Sequence, residues 1–332
     1  MQFYFHLPIF VRLLLTVIIT MLLFGFSIHL IEPAHFPSLF DGVWWAFVTG
    51  STVGYGDYVP LSTTGKLIGM LLILAGGGLV TFYMATISAA TITHEKNLTE
   101  GKISYHGQEH VIIVGWNERT KRLVDMIQHN QIKKEIVLID QSLKKVSYQK
   151  HRIHFIHGDP TSDHILKKAN IACATHIIIT ADPSLEEEDA DRQTILNIIA
   201  TKGNHPSVHI IAEILTETHE TNAIRAGCDN IIRANQFMSA LFLQTLYHSS
   251  SQTNSIITKL LTEQQFCTIP LKKEWINQDF NKLVNDFSTQ KYWLVGYIRS
   301  DELYIYPDSF TKMEGHDQLI YLKNSRTNKD IT

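Results

Sequence analysis

The segment of the chain with the most specific chemistry is a run of six residues, Thr52, Val53, Gly54, Tyr55, Gly56 and Asp57. A dehydrated potassium ion needs close oxygen ligands in place of its water, and rings of main-chain carbonyls supply them without a full charge that would trap the ion. Gly54 and Gly56 can adopt backbone dihedrals closed to other residues, which lets successive carbonyls point at one axis. The Thr52 hydroxyl can add another ring of oxygens. The run is therefore predicted to be a K+ selectivity filter, to which each chain contributes one quarter.

The residues before this filter predict a short helix that positions it. Ser38 and Asp41 form a capping-box pattern at the start of Leu39–Gly50, and this stretch is apolar enough to re-enter a bilayer. Non-helical backbone at membrane depth is tolerated only where it is buried in protein or lines a watery cavity. The filter is thus expected to line such a cavity after a half-crossing pore helix over 39–50.

Two long apolar runs flank this region and predict membrane-spanning helices. Leu13–Ile31 and Leu67–Ile92 contain 19 and 26 residues without Asp, Glu, Lys or Arg. They would extend about 28 and 39 Å, against a hydrocarbon core of about 30 Å. The predicted spans are about 8–31 and about 64–93, within a pore domain of residues 1–96. A cleaved signal peptide is the alternative for the first run, although the run lacks a basic start and a small-residue cleavage site.

Charge is distributed very unevenly along the 332 residues. Five of the 61 Asp, Glu, Lys and Arg residues precede His94 and 56 follow it, so the first part belongs to a membrane and the rest to a soluble surface. The segment 32–65 contains no Lys or Arg, whereas Arg12 and Lys96 lie at the opposite ends of the spans. Because basic residues mark the cytoplasmic side, a multi-pass protein of the cell membrane is predicted, with both termini and the soluble part in the cytoplasm.

Net charge and cysteine spacing exclude further classes. The net charge is −3, which argues against a nucleic-acid partner because phosphate contacts call for a basic surface. Cys173, Cys228 and Cys267 show neither a metal-ligand nor a redox spacing, so they fit a reducing cytoplasm.

The filter run and its flanking helices resemble the signature of the potassium-channel family. The resemblance implies a homotetramer in a lipid bilayer, K+ in the filter, and an aromatic cuff around it formed by Trp44, Trp45 and Tyr55. Plain anchoring at the membrane interface is an equally good interpretation of the tryptophans. No helix bears Arg or Lys at every third position, so no voltage sensor is predicted.

Three consecutive glycines, 76–78, lie near the middle of the second span. Each costs about 1 kcal/mol relative to Ala in a helix, so a compensating role is expected. Similarity to the glycine hinges of related channels implies that Gly76 and Gly77 form a gating hinge and that Thr81 and Ala85 line the inner pore. The alternative is close packing of helices through small residues.

After a polar linker over 97–109, apolar strand-like runs alternate with helical ones. Strands are predicted over 110–115, 136–140, 153–157, 177–180, 208–213 and 230–233, with helices near 119–128, 143–150, 163–168, 192–202 and 217–226. This alternation is typical of a parallel sheet covered on both faces, of the Rossmann type. The expected fold class is an α-helical membrane pore followed by an α/β Rossmann-like domain over 110–234 and a small α+β C-terminal lobe.

The first turn of this domain is a candidate nucleotide site. A dinucleotide binder would carry G-x-G-x-x-G there, and this chain keeps only the first glycine. The candidate residues for a nucleotide such as NAD, ADP or ATP are Gly115, Asn117, Arg119, Asp140 and Asp159. Asp140 lies where an acid would hold a ribose hydroxyl, although it is equally plausible as an ordinary surface residue, and Arg119 could meet a phosphate.

With Gly158-Asp159-Pro160-Thr161 after the third strand and the pore upstream, this region resembles the RCK domain, the regulator of potassium conductance. In related channels such domains form a ring below the pore, usually of eight, whereas this chain supplies one. Additional RCK domains would complete an octameric ring, but no methionine lies between Met84 and Met126 to start a soluble copy. The segment 235–262 is expected to be a helical dimerisation or crossover segment. Residues 263–325 resemble the RCK C-terminal subdomain.

A cluster of acids after the fourth strand is a candidate cation site. Five carboxylates occupy the six positions 186–191, and Glu213 ends the next strand at the same edge of the sheet. Hard divalent cations prefer oxygen ligands, and similarity to calcium-gated RCK channels implies Asp191 and Glu213 as Ca2+ ligands. Leu215 stands where a further acid would be expected. The alternative is a solvated helix start, whose dipole favours acids.

The whole sequence predicts a ligand-gated, potassium-selective channel rather than an enzyme, with regulatory Ca2+ or a nucleotide as the ligand. Two alternatives are a cation channel of lower selectivity and a membrane-anchored NAD-dependent oxidoreductase. The broken glycine fingerprint speaks against the oxidoreductase, as does the lack of a cleft His or Lys with a clear acid/base partner.

Overall fold

The computed structural model describes residues 8–129, 134–146, 152–247 and 252–324. The chain divides into two compact units, Met1–Arg233 and Ala234–Thr332. The predictions for 1–96, 110–234, 143–150, 235–262 and 263–325 fall partly outside the described residues. Within 143–146, which are described, the backbone is not helical.

Three helices form the first part of the first unit: α1 (Ile9–Ile31), α2 (Leu39–Gly50) and α3 (Thr63–Thr99). α1 and α3 are long and apolar enough to cross a bilayer. α3 extends about 56 Å at 1.5 Å per residue, so it is longer than a hydrocarbon core of about 30 Å. The capping box predicted for α2 is confirmed, because the Asp41 amide donates to Ser38 Oγ (3.1 Å) and the Ser38 amide donates to Asp41 Oδ2 (3.0 Å).

Glycines bring α1 and α2 into close contact. A Cβ on Gly25 would lie 2.6 Å from the Val43 Cα, and a Cβ on Gly42 would lie 2.3 Å from the Gly25 carbonyl oxygen. Only glycine permits backbones to approach this closely, as in other membrane helix pairs. The core among the three helices consists of Val17, Met21, Ile28, Phe36, Trp45, Ala46 and Leu72.

A six-stranded parallel sheet forms the rest of the first unit. Its elements are β1 (His110–Val114), α4 (Glu118–His129), β2 (Ile136–Asp140), β3 (Ile153–His157), α5 (Asp163–Lys168), β4 (Ala174–Ile179), α6 (Glu187–Asn204), β5 (His209–Ile214), α7 (Glu217–Arg225) and β6 (Asn230–Arg233). The strand order is β3-β2-β1-β4-β5-β6, which is the doubly wound order with its switch point between β1 and β4.

The strands are apolar almost throughout because both faces of the sheet are covered. All five residues of β2 are buried. One core contains Ile112, Val137 and Ile177, and a second core contains Ile113 and Leu138, so neighbouring residues of one strand point into different cores. The predicted Rossmann-like domain is thereby confirmed.

Residues 100–109, which we call the strap, join α3 to β1. They fall within the predicted linker 97–109, whose first three residues are the last residues of α3. The strap lies against β3, since the His157 amide donates to the Gly101 carbonyl at 3.1 Å. β3 is an edge strand of the sheet, and its outer hydrogen-bonding groups are therefore available to the strap.

The second unit consists of two helices followed by a small α+β lobe. Its elements are α8 (Ala234–Tyr247), α9 (Thr253–Glu263), β7 (Gln264–Pro270), α10 (Phe280–Thr289), β8 (Trp293–Arg299), β9 (Glu302–Ile305) and β10 (Gln318–Asn324), with the antiparallel strand order β7-β10-β8-β9. Arg299 donates to both oxygens of buried Asp317, at 2.8 and 2.7 Å. Burial alone would raise the pKa of Asp317, but these hydrogen bonds hold it below its ordinary value. The lobe confirms the last part of the expected fold class.

Candidate ion pathway and regulatory sites

Residues 52–57 follow α2 directly and have an unusual backbone. Thr52, Gly54 and Gly56 have φ angles of +65°, +60° and +77°, so every second residue lies in the left-handed region. Glycine adopts this region without strain, whereas a β-branched residue such as Thr52 does so only where its surroundings impose it. An alternating backbone of this kind can turn successive carbonyls to one side, which coordination of K+ by carbonyl rings requires.

The C-terminal end of α2 fixes the start of this segment. The Thr52 amide donates to the Thr49 carbonyl at 3.0 Å, and the Val53 and Gly54 amides both donate to the Val48 carbonyl, at 3.1 and 3.2 Å. The left-handed stretch therefore begins at a position defined by the pore helix. Val48 acts here only through its main-chain carbonyl, so its side-chain type does not indicate this role.

The two tryptophans of the predicted cuff have different surroundings. Trp44 Nε1 donates to Asp57 Oδ2 at 2.8 Å, and the Trp44 ring stacks on Tyr55 with centroids 6.1 Å apart. Trp45 is only 3% exposed, and its ring packs edge-on with the Phe36 ring, with centroids 5.5 Å apart. Trp44 thus connects Tyr55 and Asp57 to α2, while Trp45 packs in the core among the three helices.

The glycine triplet lies within an unbroken helix α3. A Cβ on Gly76 would lie 3.1 Å from Met21 Cε and 3.2 Å from the Gly50 Cα, which fits the close-packing alternative. A Cβ on Gly77 would reach only one side-chain atom, at 4.0 Å, and one on Gly78 would meet nothing within 4 Å. Packing within one chain therefore accounts for Gly76 but not for the other two glycines.

Glu32 joins the ends of the two spanning helices on the side away from the soluble domain. It directly follows α1, is buried, and accepts hydrogen bonds from the Leu61 amide (3.0 Å), the Ser62 amide (2.9 Å) and Ser62 Oγ (2.5 Å). Ser62 in turn caps α3 by accepting from the Gly65 amide at 2.9 Å. Sequence reasoning missed this role, although one acid directly after an apolar run is a signal for it.

We expect Glu32→Gln to destabilise the pore domain by about 1–3 kcal/mol, because an amide NH2 would face donors that now share a carboxylate. Thermal unfolding of the purified protein in detergent checks this, with K+ flux measured in parallel. His35→Gln is the control, because His35 is half exposed and 4.0 Å from Glu32 and should contribute little. Equal unfolding temperatures for Glu32→Gln and the unsubstituted protein would contradict the role.

A cavity of about 250 Å³ lies at the carboxyl edge of the parallel sheet, beside β1, β2, β4 and the start of α6. Gly115, Asn117 and Asp140 of the predicted nucleotide site line it, together with Thr180 and Asn197, which sequence reasoning missed. Thr180 directly follows β4, so its place at the same edge was the available signal. Ligands of doubly wound sheets bind at this switch point.

The turn after β1 is closed by its own side chain. Asn117 Oδ1 accepts from the amides of Arg119 (3.0 Å) and Thr120 (3.1 Å), and Asn117 Nδ2 donates to Thr180 Oγ1 at 3.1 Å. In dinucleotide binders the first amides of this helix bind the pyrophosphate. Here Asn117 takes that place, so a phosphate could use these amides only by displacing it.

The carboxylate of Asp140 is also used within the protein. Asp140 Oδ2 accepts from the Trp116 amide (2.8 Å), and Oδ1 accepts from the Ser142 (2.7 Å) and Leu143 (2.8 Å) amides. A ribose hydroxyl would compete with these bonds. Asp159 is exposed and its Oδ1 accepts from the nearby Thr161 amide at 2.8 Å; it does not line the cavity.

Arg119 and Glu213, which the sequence assigned to different candidate sites, form an ion pair of 3.1 Å. Glu213 also accepts from the Ala181 amide at 2.9 Å, and Arg119 donates to the Ala181 carbonyl at 3.1 Å. The guanidinium that could meet a phosphate is thus engaged by the carboxylate that could ligate calcium.

Asp191 is completely buried and holds the turn between β5 and α7. It accepts from the Leu215 amide (2.8 Å), the Thr216 amide (2.9 Å) and Thr216 Oγ1 (2.6 Å). Two acids before it, Glu188 and Asp189, form ion pairs with Arg192. Across residues 8–129, 134–146, 152–247 and 252–324, no group of three or more His, Cys, Asp and Glu side chains is arranged to hold a metal.

Comparisons with known proteins agree with both parts of this architecture. A family model described as an ion channel matches residues 16–93, and one described as the TrkA-N domain matches residues 111–234. YugO of Bacillus subtilis, a putative potassium channel protein, is 38% identical over 94% of this chain and 95% of its own length. TvoK of Thermoplasma volcanium, a calcium-gated potassium channel, is 28% identical over 71% of this chain and 67% of its own.

Among solved structures, the GsuK channel aligns with a TM-score of 0.54 at 13% identity, over 96% of this chain and 57% of its own. GsuK bound to NAD gives a TM-score of 0.51 at the same identity, over 94% and 57%. The chain spans little more than half the length of GsuK, and this likeness shows the fold alone. The identity with YugO over nearly the whole of both chains is the stronger finding. The chain therefore belongs to the family of potassium channel proteins that join an ion-channel pore to a TrkA-N, or RCK, domain.

Proposed function

We propose that four copies of this chain form a potassium-selective pore in the cell membrane, opened or closed by a ligand that binds the cytoplasmic domain. The observation that carries the proposal is the filter backbone, with its alternating left-handed residues held by Trp44 and Asp57. A single chain provides one wall of such a filter. Val53 and Tyr55 are 55% and 68% exposed in the single chain, and neighbouring copies around a closed symmetry axis would cover this apolar surface.

In the same assembly, α3 would line the inner pore. Thr81 and Ala85 are exposed in the single chain, as residues facing a central axis would be. Gly77, which packing does not explain, is the better candidate than Gly76 for a hinge. Arg12 and Lys96 support an orientation with both termini and the Rossmann-like domain in the cytoplasm.

The regulatory ligand that the residues support best is a nucleotide in the cavity beside Gly115. GsuK has been solved with NAD bound, and the cavity here lies at the switch point where such ligands bind. The capped turn at Asn117 and the Arg119–Glu213 ion pair oppose tight binding of a pyrophosphate. Modest affinity is therefore proposed, with the nucleoside part in the cavity.

Calcium at Asp191 and Glu213 is the second candidate, because TvoK is described as calcium-gated. Both carboxylates already accept hydrogen bonds from main-chain amides, so calcium would have to replace them. Completion of an octameric ring by additional RCK domains remains part of the proposal for either ligand.

Potassium flux into liposomes tests the proposal. The purified full-length protein would be reconstituted under a potassium gradient and assayed with and without barium, and then with calcium, NAD, ADP or ATP on the side of the soluble domain. We expect barium-sensitive flux that at least one nucleotide changes. Flux that no nucleotide alters and calcium raises would favour the second candidate, and no flux under any ligand would contradict the channel proposal.

A further inference from the structure

The strap is held to the Rossmann-like domain along its length by main-chain hydrogen bonds. Besides the bond from the His157 amide to the Gly101 carbonyl, the Tyr105 amide donates to the Lys168 carbonyl at 2.9 Å. Gly101 has a φ of +67°, and a Cβ there would lie 2.3 Å from the His157 nitrogen. Glycine is therefore required for this contact, which follows the last turn of α3 by two residues.

Two basic side chains fasten the same segment. Lys168 Nζ donates to the Gly101 carbonyl at 2.8 Å, and His154 Nε2 lies 2.9 Å from the Ile103 carbonyl. A carbonyl can only accept, so Nε2 of His154 carries the proton. Lys168 and His154 belong to α5 and β3, so both bonds join the strap to the body of the domain.

Tyr105 of the strap contacts both of these residues, because its ring packs on His154 and its amide donates to the Lys168 carbonyl. Its ring is buried and lies between two imidazoles, 4.6 Å from the His110 centroid and 5.3 Å from the His154 centroid. Its hydroxyl donates to the Glu135 carboxylate. We call Tyr105, His154 and Lys168 the clamp.

We propose that the clamp transmits the state of the cytoplasmic domain to the pore helix α3, and that a proton taken up by His154 loosens it, so that cytoplasmic acidification uncouples the pore from the domain. The inference rests on the proposed channel function. α3 carries the proposed inner pore and continues through Thr99 into the strap. A movement of the domain reaches α3 through the strap, which is the covalent connection that the clamp holds, and through the bond from the Val146 amide to the Thr99 carbonyl at 2.9 Å.

The electrostatic surroundings of His154 favour its neutral form. The titratable or charged groups that face it from the strap, the segment before β2, and α5 are Tyr105, His106, Glu135 and Lys168, and His110 of β1 contacts the Tyr105 ring. Burial lowers the pKa of His154 below its ordinary 6.5, and the charges of Lys168 and His106 lower it further. The hydrogen bond to the Ile103 carbonyl and the negative charge of Glu135 raise this pKa, but by less. Burial also lowers the pKa of His110 and of Lys168.

The sign of the pH dependence follows from this direction. At pH values between the lowered pKa of His154 and 6.5, His154 binds fewer protons when the strap is docked than when it is undocked. Docking is therefore fully favoured above pH 6.5 and weakens as the pH falls below it. Protonated His154 could still donate to Ile103, so the loss comes from a part-buried charge beside Lys168 rather than from a broken hydrogen bond.

Hydrogen–deuterium exchange of the full-length protein in detergent tests the docking directly. After correction for the intrinsic effect of pH, exchange in residues 100–109 should rise about threefold or more between pH 7.5 and 5.5 through local opening. His154→Gln keeps a donor for Ile103 without a titratable group and should remove this rise. His164→Gln, an exposed histidine on α5, is the matched control and should keep it. An unchanged rise in His154→Gln, or no rise in the unsubstituted protein, would overturn the inference.

Potassium flux from liposomes tests the coupling separately. With the pH of the side facing the soluble domain varied over the same range, flux should change about threefold or more in the unsubstituted protein and in His164→Gln, but not in His154→Gln. Exchange that depends on His154 together with flux that does not would overturn the coupling. Absence of flux at every pH would count against the proposed channel, while the exchange result would still decide whether the clamp is proton-sensitive.

Discussion

Replacing Gly56 with alanine should abolish potassium selectivity and lower K+ flux by about tenfold or more. Gly56 has a φ of +77°, and an L-residue pays roughly 1–2 kcal/mol for left-handed backbone. In a tetramer this strain would arise four times in one ring of carbonyls. This prediction is checked by measuring K+ flux from liposomes together with the permeability of Na+ relative to K+.

Gly78→Ala is the matched control for this substitution. A Cβ at either position would meet nothing within 4 Å in the single chain, so added bulk does not distinguish the two sites. Gly78 lies in regular helix, where alanine is favoured by about 1 kcal/mol. If Gly56→Ala kept the selectivity of Gly78→Ala, backbone geometry would not be what forms the filter.

Asp191→Ala should lower the thermal transition of the Rossmann-like domain by roughly 10 °C, which corresponds to about 3 kcal/mol for a domain of this size. Asp191 is completely buried and accepts three hydrogen bonds from Leu215 and Thr216. Truncation removes the acceptor of two part-buried amides and of the Thr216 hydroxyl. Glu186→Ala, exposed before the start of α6, should change stability by less than about 0.5 kcal/mol.

The conditions of this measurement separate the two interpretations of Asp191. If Asp191 holds the turn between β5 and α7, its loss destabilises the protein equally in calcium and in a calcium chelator. As a calcium ligand, it would let calcium raise the transition of the unsubstituted protein, and Asp191→Asn would remove that increase. An Asp191→Ala variant as stable as the unsubstituted protein in chelator would contradict the role of Asp191 in holding the turn.

The pore could be predicted from the sequence because its signals are local. The pattern from Ser38 to Asp41 set the start of α2, and Gly54 and Gly56 indicated the left-handed backbone that follows it. Each of these features depends on residues a few positions apart. The long apolar runs and the alternation of strands and helices are likewise read from short windows, and they predicted the order of the elements.

The regulatory region could be predicted only in outline, because its contacts join residues far apart in the chain. Arg119 and Glu213 are separated by 94 positions, and no pattern indicates that they pair. Asp191 was singled out as an acid after a strand, but whether such an acid binds a cation or holds a turn depends on the position of Thr216, 25 residues further along the chain. The strap is a similar case. Its polar composition indicated a linker, but did not indicate the hydrogen bonds that it forms with β3 and α5.

The reversal potential of the purified protein in planar bilayers, with K+ concentrated on one side and Na+ balancing it on the other, tests potassium selectivity most directly. A filter formed by residues 52–57 predicts a reversal potential close to the potassium equilibrium value, about 59 mV for each tenfold K+ gradient, and a shift toward zero for Gly56→Ala. A reversal potential near zero in the unsubstituted protein would mean a cation pathway without potassium selectivity, and would contradict the account.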